Sequence, residues 1–115
     1  MPAPIVFFDI AGPDSAQLSD FYQKVFDWDC REPARIIPGN SASLEGAIRQ
    51  DPAEKVLYIG VPDITATLTQ IEAAGGSIDV PRFEVPGTVV LGLFKDPAGN
   101  RMGLVEMQGD RPIVP

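Results

Sequence analysis

The sequence predicts an α+β fold built from two tandem βαβββ modules, each a curved mixed sheet with its helix on the outer face. Three observations carry this expectation. The order strand, helix, three strands occurs twice with a period near 50 residues, and the dipeptide Pro13-Asp14 returns 49 residues later as Pro62-Asp63. Each of these dipeptides is followed by apolar residues at helical spacing. A module of this size cannot cover both faces of its own sheet, so the duplication implies a single domain, residues 1–115, rather than two independent ones. Module one spans about residues 4–50 and module two about 55–107, and the tail 108–115, with two prolines and no period, reads as irregular.

The elements follow in order. Residues 5–10 are rich in Ile, Val and Phe with Asp9 inside, and Gly12-Pro13-Asp14 ends the run, which marks a strand with one apolar and one mixed face. Asp14 is placed as an N-cap with Gln17 three residues on, and Leu18, Phe21, Tyr22, Val25 and Phe26 fall on one helical stripe. Residues 28–50 hold three short strands, broken at Pro33, at Pro38-Gly39-Asn40 and at Gly46. A strand over 55–61 opens the second module, and Ile64, Leu68, Ile71 and Ala74 form a helical stripe that Gly75-Gly76 terminates. Strands over 77–83, 88–95 and 101–107 close it, with turns at 84–87 and at Asp96-Pro97-Ala98-Gly99-Asn100.

Composition excludes several kinds of chemistry. The 115 residues carry 9 Lys plus Arg against 16 Asp plus Glu, a formal net charge of −7. The basic residues are scattered singly, so no nucleic-acid surface is expected. With no histidine, no Ser-His or Cys-His nucleophile can be assembled. The lone Cys30 builds neither a disulfide nor a thiolate cluster, and its acidic neighbours Asp29 and Glu32 argue against a reactive thiol. Gly75-Gly76 follows its helix, whereas a phosphate-binding loop precedes one, and no dinucleotide fingerprint occurs. Residues 1–12 lack the basic start and cleavage pattern of a secretory signal, and the longest apolar run, 89–94, is far too short to span a bilayer. The chain therefore reads as a reduced cytoplasmic protein with no membrane contact.

Taken together, the doubled module, the strand Ile5-Val6-Phe7-Phe8-Asp9-Ile10 running into Pro13-Asp14, the helix ending Phe21-Tyr22-Gln23-Lys24-Val25-Phe26-Asp27-Trp28, the Ala73-Ala74-Gly75-Gly76 cap and the Asp96-Pro97-Ala98-Gly99-Asn100 turn resemble the vicinal oxygen chelate superfamily. That superfamily contains glyoxalase I, extradiol dioxygenases, fosfomycin resistance enzymes and bleomycin resistance proteins. The resemblance covers about residues 4–107 and implies a cup-shaped sheet around a cavity, usually in a homodimer. It also implies where a metal would be held. Metal-dependent members carry His or Gln at the place of Phe7, His at the place of Val56 and Glu at the place of Gly103, and none of these three can ligate. The fourth position falls in the strand between Ser43 and Arg49, where Glu45 is the single acid. No metal and no cofactor are expected.

With that alignment, alternation along the strands turns Phe7, Asp9, Ala11, Val56, Tyr58, Gly60, Arg101, Gly103 and Val105 toward the cavity. The opposite parity, Phe8, Ile10, Leu57, Ile59, Val61, Met102 and Leu104, packs on the helices. Phe7, Asp9, Val56, Tyr58, Arg101 and Gly103 are the candidate ligand-binding residues, an aromatic and apolar set with one acid, one base and one phenol. Each has a structural alternative. Asp9 and Arg101 read equally as an ion pair across strands, Tyr58 as a packed ring, Phe7 as filler of the vacated metal space and Trp28 as a core or dimer anchor.

Three functional readings follow. The first is a metal-independent protein that binds a small organic ligand, as a homodimer. The second is a lyase or isomerase with Asp9 as general base and Arg101 or Tyr58 stabilising an oxyanion. The third is a structural or interaction module whose cavity is filled by its own side chains.

Overall fold

The computed structural model describes residues 2–31, 35–37 and 44–115, with the backbone alone at 30, 31 and 35–37. The breaks expected at Pro33 and at Pro38-Gly39-Asn40, the position Ser43 and the surroundings of the Cys30 thiol lie outside the described residues. By contact the chain divides into two units, Phe7–Leu57 and Tyr58–Pro115, the latter joined by the N-terminal residues through Val6.

The first unit contains most of β1 (Ile5–Gly12), then α1 (Ser15–Phe26), β2 (Asp29–Arg31), β3 (Arg35–Ile37), β4 (Gly46–Gln50) and the start of β5 (Glu54–Val61). Strands β2, β3 and β4 run antiparallel in sequence, and β4 returns parallel to β1 with Asp9 opposite Ala47 and Ala11 opposite Arg49. As the sequence predicts, the Asp14 side chain caps α1, accepting from Gln17 N–H at 3.1 Å. The expected apolar stripe is only partly used. No residue of α1 is buried, and Phe21, Val25 and Phe26 are each more than half exposed. Contact runs instead along the Leu18 and Tyr22 edge, where Tyr22 stacks on Trp28 at 4.9 Å and 12° and Leu18 approaches Gly12. Trp28 in turn meets Phe8, at 5.9 Å between ring centroids.

Phe8 lies over its register partner Gly46, where an added Cβ would stand 2.5 Å from both Cε atoms of the ring. Gly46→Ala is therefore expected to destabilise the protein by about 1–3 kcal/mol through overpacking. The same change in a Phe8→Leu background should cost much less, a difference that urea denaturation of the four proteins measures.

The second unit holds the remainder of β5, α2 (Ile64–Ala73), β6 (Ser77–Val85), β7 (Val89–Lys95), β8 (Arg101–Gln108) and β9 (Arg111–Pro112). Its strand order is β5-β8-β7-β6, with β5 parallel to β8 and the other neighbours antiparallel. Asp63 repeats the role of Asp14, accepting from Ala66 N–H at 3.0 Å. Gly75 takes a left-handed φ of 98°, and Gly76 N–H reaches back to the Ile71 carbonyl at 2.9 Å, so the paired glycines close α2 as a Schellman cap. Val61, Ile64, Leu68, Val90, Phe94 and Leu104 form the core between α2 and the sheet, with Ile59, Ile71 and Met102 packed at its edge. Gly92 interrupts the apolar run of β7 because α2 lies on it, an added Cβ falling 2.8 Å from Ile64 Cγ2. The tail departs from its irregular reading: β9 pairs with the end of β8, and Ile113 packs against the core. No described helix is long and apolar enough to cross a membrane.

Candidate ligand-binding site

Strand alternation separates two faces along β5 and β8. On the side predicted to pack on helices, Ile59, Val61, Met102 and Leu104 do so in the second unit. Leu57, at the end of the first unit, is 41% exposed. On the opposite parity Val56, Tyr58 and Gly60 are buried along β5, and Gly103 and Val105 along β8. Phe7 is half-buried and Asp9 buried on β1. Phe7, Asp9 and Val56 belong to the first unit, and Tyr58, Arg101 and Gly103 to the second.

Within the first unit the charge on Asp9 has a partner that the sequence reading missed. Asp9 is 5% exposed, and its Oδ1 lies 3.2 Å from Arg49 Nε. The same guanidinium donates from Nη1 to Asp51 at 2.8 Å and from Nη2 to Glu54 at 2.5 Å. Partial burial works against the Arg49 charge, but the bonds to Glu54 and Asp51 and the attraction of Asp9 outweigh it, so its pKa is raised above the ordinary value. Arg49 was legible as a basic residue on a short strand. Its role follows from the parallel register of β1 and β4, which sets it one pleat along the same face from Ala47, the partner of Asp9.

In the second unit Arg101 Nε donates to Asp79 Oδ2 at 2.7 Å, so this base also has an acid within its own unit. Tyr58 and Gly103 are register partners, and the Tyr58 ring lies directly on the glycine. A Cβ at position 103 would stand 2.9 Å from Tyr58 Cγ and closer still to Cδ2 and Cε2.

The register also relates the strand between Ser43 and Arg49 to β8 of the second module. Pro13-Asp14 and Pro62-Asp63 put Asp9 of β1 in correspondence with Tyr58 of β5. Asp9 pairs with Ala47 and Tyr58 pairs with Gly103. The position corresponding to Gly103 is therefore Ala47, not Glu45, which is exposed. Phe7, Ala47, Val56 and Gly103 supply no side-chain donor, so these residues do not fit a divalent cation. Among the described residues no group of three or more His, Cys, Asp or Glu side chains is placed to hold a metal ion.

Comparison with known proteins agrees with this architecture. The sequence model of the Glyoxalase/Bleomycin resistance protein/Dioxygenase superfamily matches residues 5–104. No curated protein matches the sequence. Among solved structures, a methylmalonyl-CoA epimerase in complex with methylmalonyl-CoA and NH4+ is similar at a TM-score of 0.67 and 13% identity, over 98% of this chain and 100% of that one. A hypothetical protein from Bacillus halodurans C-125 is similar at 0.68 and 12% identity, over 94% and 96% of the two chains. A chain named as an NAD-dependent benzaldehyde dehydrogenase from Legionella pneumophila is similar at 0.65 and 13% identity, over 93% and 100%. Identities this low carry the fold alone, and the different activities named for one fold show why.

Proposed function

Because the chain belongs to the glyoxalase/bleomycin resistance protein/dioxygenase superfamily, we propose that it is a metal-independent protein of the glyoxalase/bleomycin resistance type that binds a small organic ligand. The observation that carries this reading is the donor-free set Phe7, Ala47, Val56 and Gly103 at the positions where metal-dependent members hold their cation. In this reading Phe7, Val56 and Tyr58 offer apolar and aromatic surface, Gly103 makes room beneath the Tyr58 ring, and Asp9 and Arg101 orient polar groups of the ligand. The protein acts as a homodimer in the cytoplasm.

The contact with Arg49 holds the Asp9 carboxylate in place, which supports its role as a fixed orienting group. A CoA ester is the ligand of one structural neighbour, and the net charge of −7 weighs against so anionic a molecule here.

Native mass spectrometry of the protein purified from cells, with release and identification of what it carries, tests the proposal. A dimer holding an organic molecule and no stoichiometric metal is the expected result. Tyr58→Ala and Asp9→Asn should each reduce the bound fraction about tenfold, the scale of one lost charge-assisted hydrogen bond or ring contact. Stoichiometric metal would overturn the metal-independent reading. Unchanged occupancy in both variants would overturn the assigned contacts.

A further inference from the structure

The internal repeat shows which side of α1 belongs to its own sheet. The 49-residue offset between Pro13-Asp14 and Pro62-Asp63 sets Ser15, Leu18, Ser19 and Tyr22 of α1 in correspondence with Ile64, Thr67, Leu68 and Ile71 of α2. In both helices these positions, and no others, are buried or half-buried. In α2 this line carries Ile64, Leu68 and Ile71 into the core. Phe21, Val25 and Phe26 lie off it, at the places of Gln70, Ala74 and Gly75, and each is more than half exposed. The exposed apolar side of α1 is therefore not a core face left half covered. It is a second face, apolar where the repeat is polar or small, with Phe21 and Val25 one turn apart and the Phe21 and Phe26 rings 6.5 Å apart between centroids. A contiguous apolar patch of this kind marks an interaction surface.

The charges beside the patch favour a second copy of the same helix. Asp20 and Lys24 are the charged residues between Ser15 and Phe26, so α1 is neutral in a chain of net charge −7. They pair along the helix at 3.0 Å, and both side chains are mostly exposed. Two copies of α1 laid antiparallel about a twofold axis near position 22 bring Asp20 of each opposite Lys24 of the other, with the Phe21 and Val25 ridges meeting between them. A twofold contact needs a self-complementary patch, and an apolar ridge flanked by one acid and one base a turn apart meets that need.

We infer that the outward face of α1, with Phe21, Val25 and Phe26 flanked by Asp20 and Lys24, is the surface through which two copies of this chain associate, helix to helix and antiparallel. The inference rests on the homodimeric part of the proposed function and adds which surface forms the dimer. All five residues lie in the first unit.

The test is sedimentation velocity of the full chain over a range of concentrations. The wild type is expected to sediment as a dimer. Phe21→Gln combined with Val25→Gln should weaken dimerisation at least about tenfold, the scale of losing a buried anchor residue. Asp20→Lys and Lys24→Glu should each weaken it too, because like charges then face each other across the axis, and an equimolar mixture of these two proteins should recover a dimer of oppositely charged helices. An undiminished dimer in the Phe21→Gln, Val25→Gln protein would overturn the α1 surface and leave the homodimeric reading standing. A wild type that is monomeric at every concentration would overturn that reading as well and leave the face to a partner other than this chain. Charge variants that stay monomeric when mixed would overturn the antiparallel pairing. Should the apolar double variant fail to fold by circular dichroism, the charge variants decide, since an undiminished dimer in both would overturn the inference.

Discussion

Arg49→Gln is expected to lower unfolding free energy by about 2–3 kcal/mol, the scale of hydrogen bonds to charged groups at a partly buried site. The magnitude comes from what is left behind rather than from what is removed. Asp9 is 5% exposed, so its charge has little access to water once Arg49 Nε is gone. The side chains of Asp51 and Glu54, drawn in by Nη1 and Nη2, then face Asp9 and each other as like charges. Arg49→Lys keeps the charge and loses the fork that reaches three carboxylates at once, so it should recover only part of the loss. Pairing Arg49→Gln with Asp9→Asn should cost less than the sum of the single changes, because the two substitutions remove the two sides of one contact. Urea denaturation of the three variants and the double variant gives these differences. A loss below about 1 kcal/mol for Arg49→Gln would mean that the pair behaves as a solvated surface contact.

Sequence and structure agree where the determinants are local. The dipeptides Pro13-Asp14 and Pro62-Asp63 announce two helix starts, and each aspartate caps its helix through the N–H three residues on. Gly75-Gly76 announces a helix end, and the left-handed φ and the return bond to Ile71 supply it. Period-two alternation sorts Ile59, Val61, Met102 and Leu104 from Val56, Tyr58 and Gly103 without any knowledge of the sheet. Agreement fails where the determinant is a register between distant strands. Nothing local ties Arg49 to Asp9, 40 residues earlier in the chain, until β1 and β4 are known to run parallel with Ala11 opposite Arg49. For the same reason the strand between Ser43 and Arg49 has no alignment from sequence alone: the pairing of β1 with β4 sets Ala47, not Glu45, in correspondence with Gly103. On α1 the stripe of five apolar residues is real as a pattern, yet burial depends on what packs against it, and among the described residues Leu18, Tyr22 and Phe26 meet Gly12 and Trp28 while Phe21, Val25 and Phe26 stay more than half exposed. The tail misled because two prolines argue against a strand, whereas a two-residue strand at a sheet end needs few donors.

Glu106→Gln should show the other large loss, about 2–3 kcal/mol, with a pH signature of its own. Glu106 lies on the helix-facing side of β8, 7% exposed, and performs two tasks with one carboxylate. Its Oε2 accepts the N–H of Ile64, the first residue of α2, at 3.0 Å, and both oxygens accept from Arg82 on β6. It thereby joins a helix start, which has N–H groups without partners inside the helix, to an edge strand. A glutamine can still accept from Ile64, but its amide N–H2 would face the Arg82 donors and lose the charge that shortens these bonds. The hydrogen bonds from Arg82, with help from Ile64 N–H and against the cost of burial, hold the Glu106 pKa below its ordinary value of 4.5. A carboxylate depressed in the folded state stabilises fully above its unfolded pKa, and that stability is lost as pH falls through the folded value. Wild-type stability should therefore fall on acidification below the ordinary glutamate range, and the Glu106→Gln protein, having no proton to take up there, should show a shallower fall. Urea unfolding between neutral and acid pH reads both quantities. Parallel pH profiles for the two proteins would assign the acid lability to other carboxylates and reduce Glu106 to a packing role.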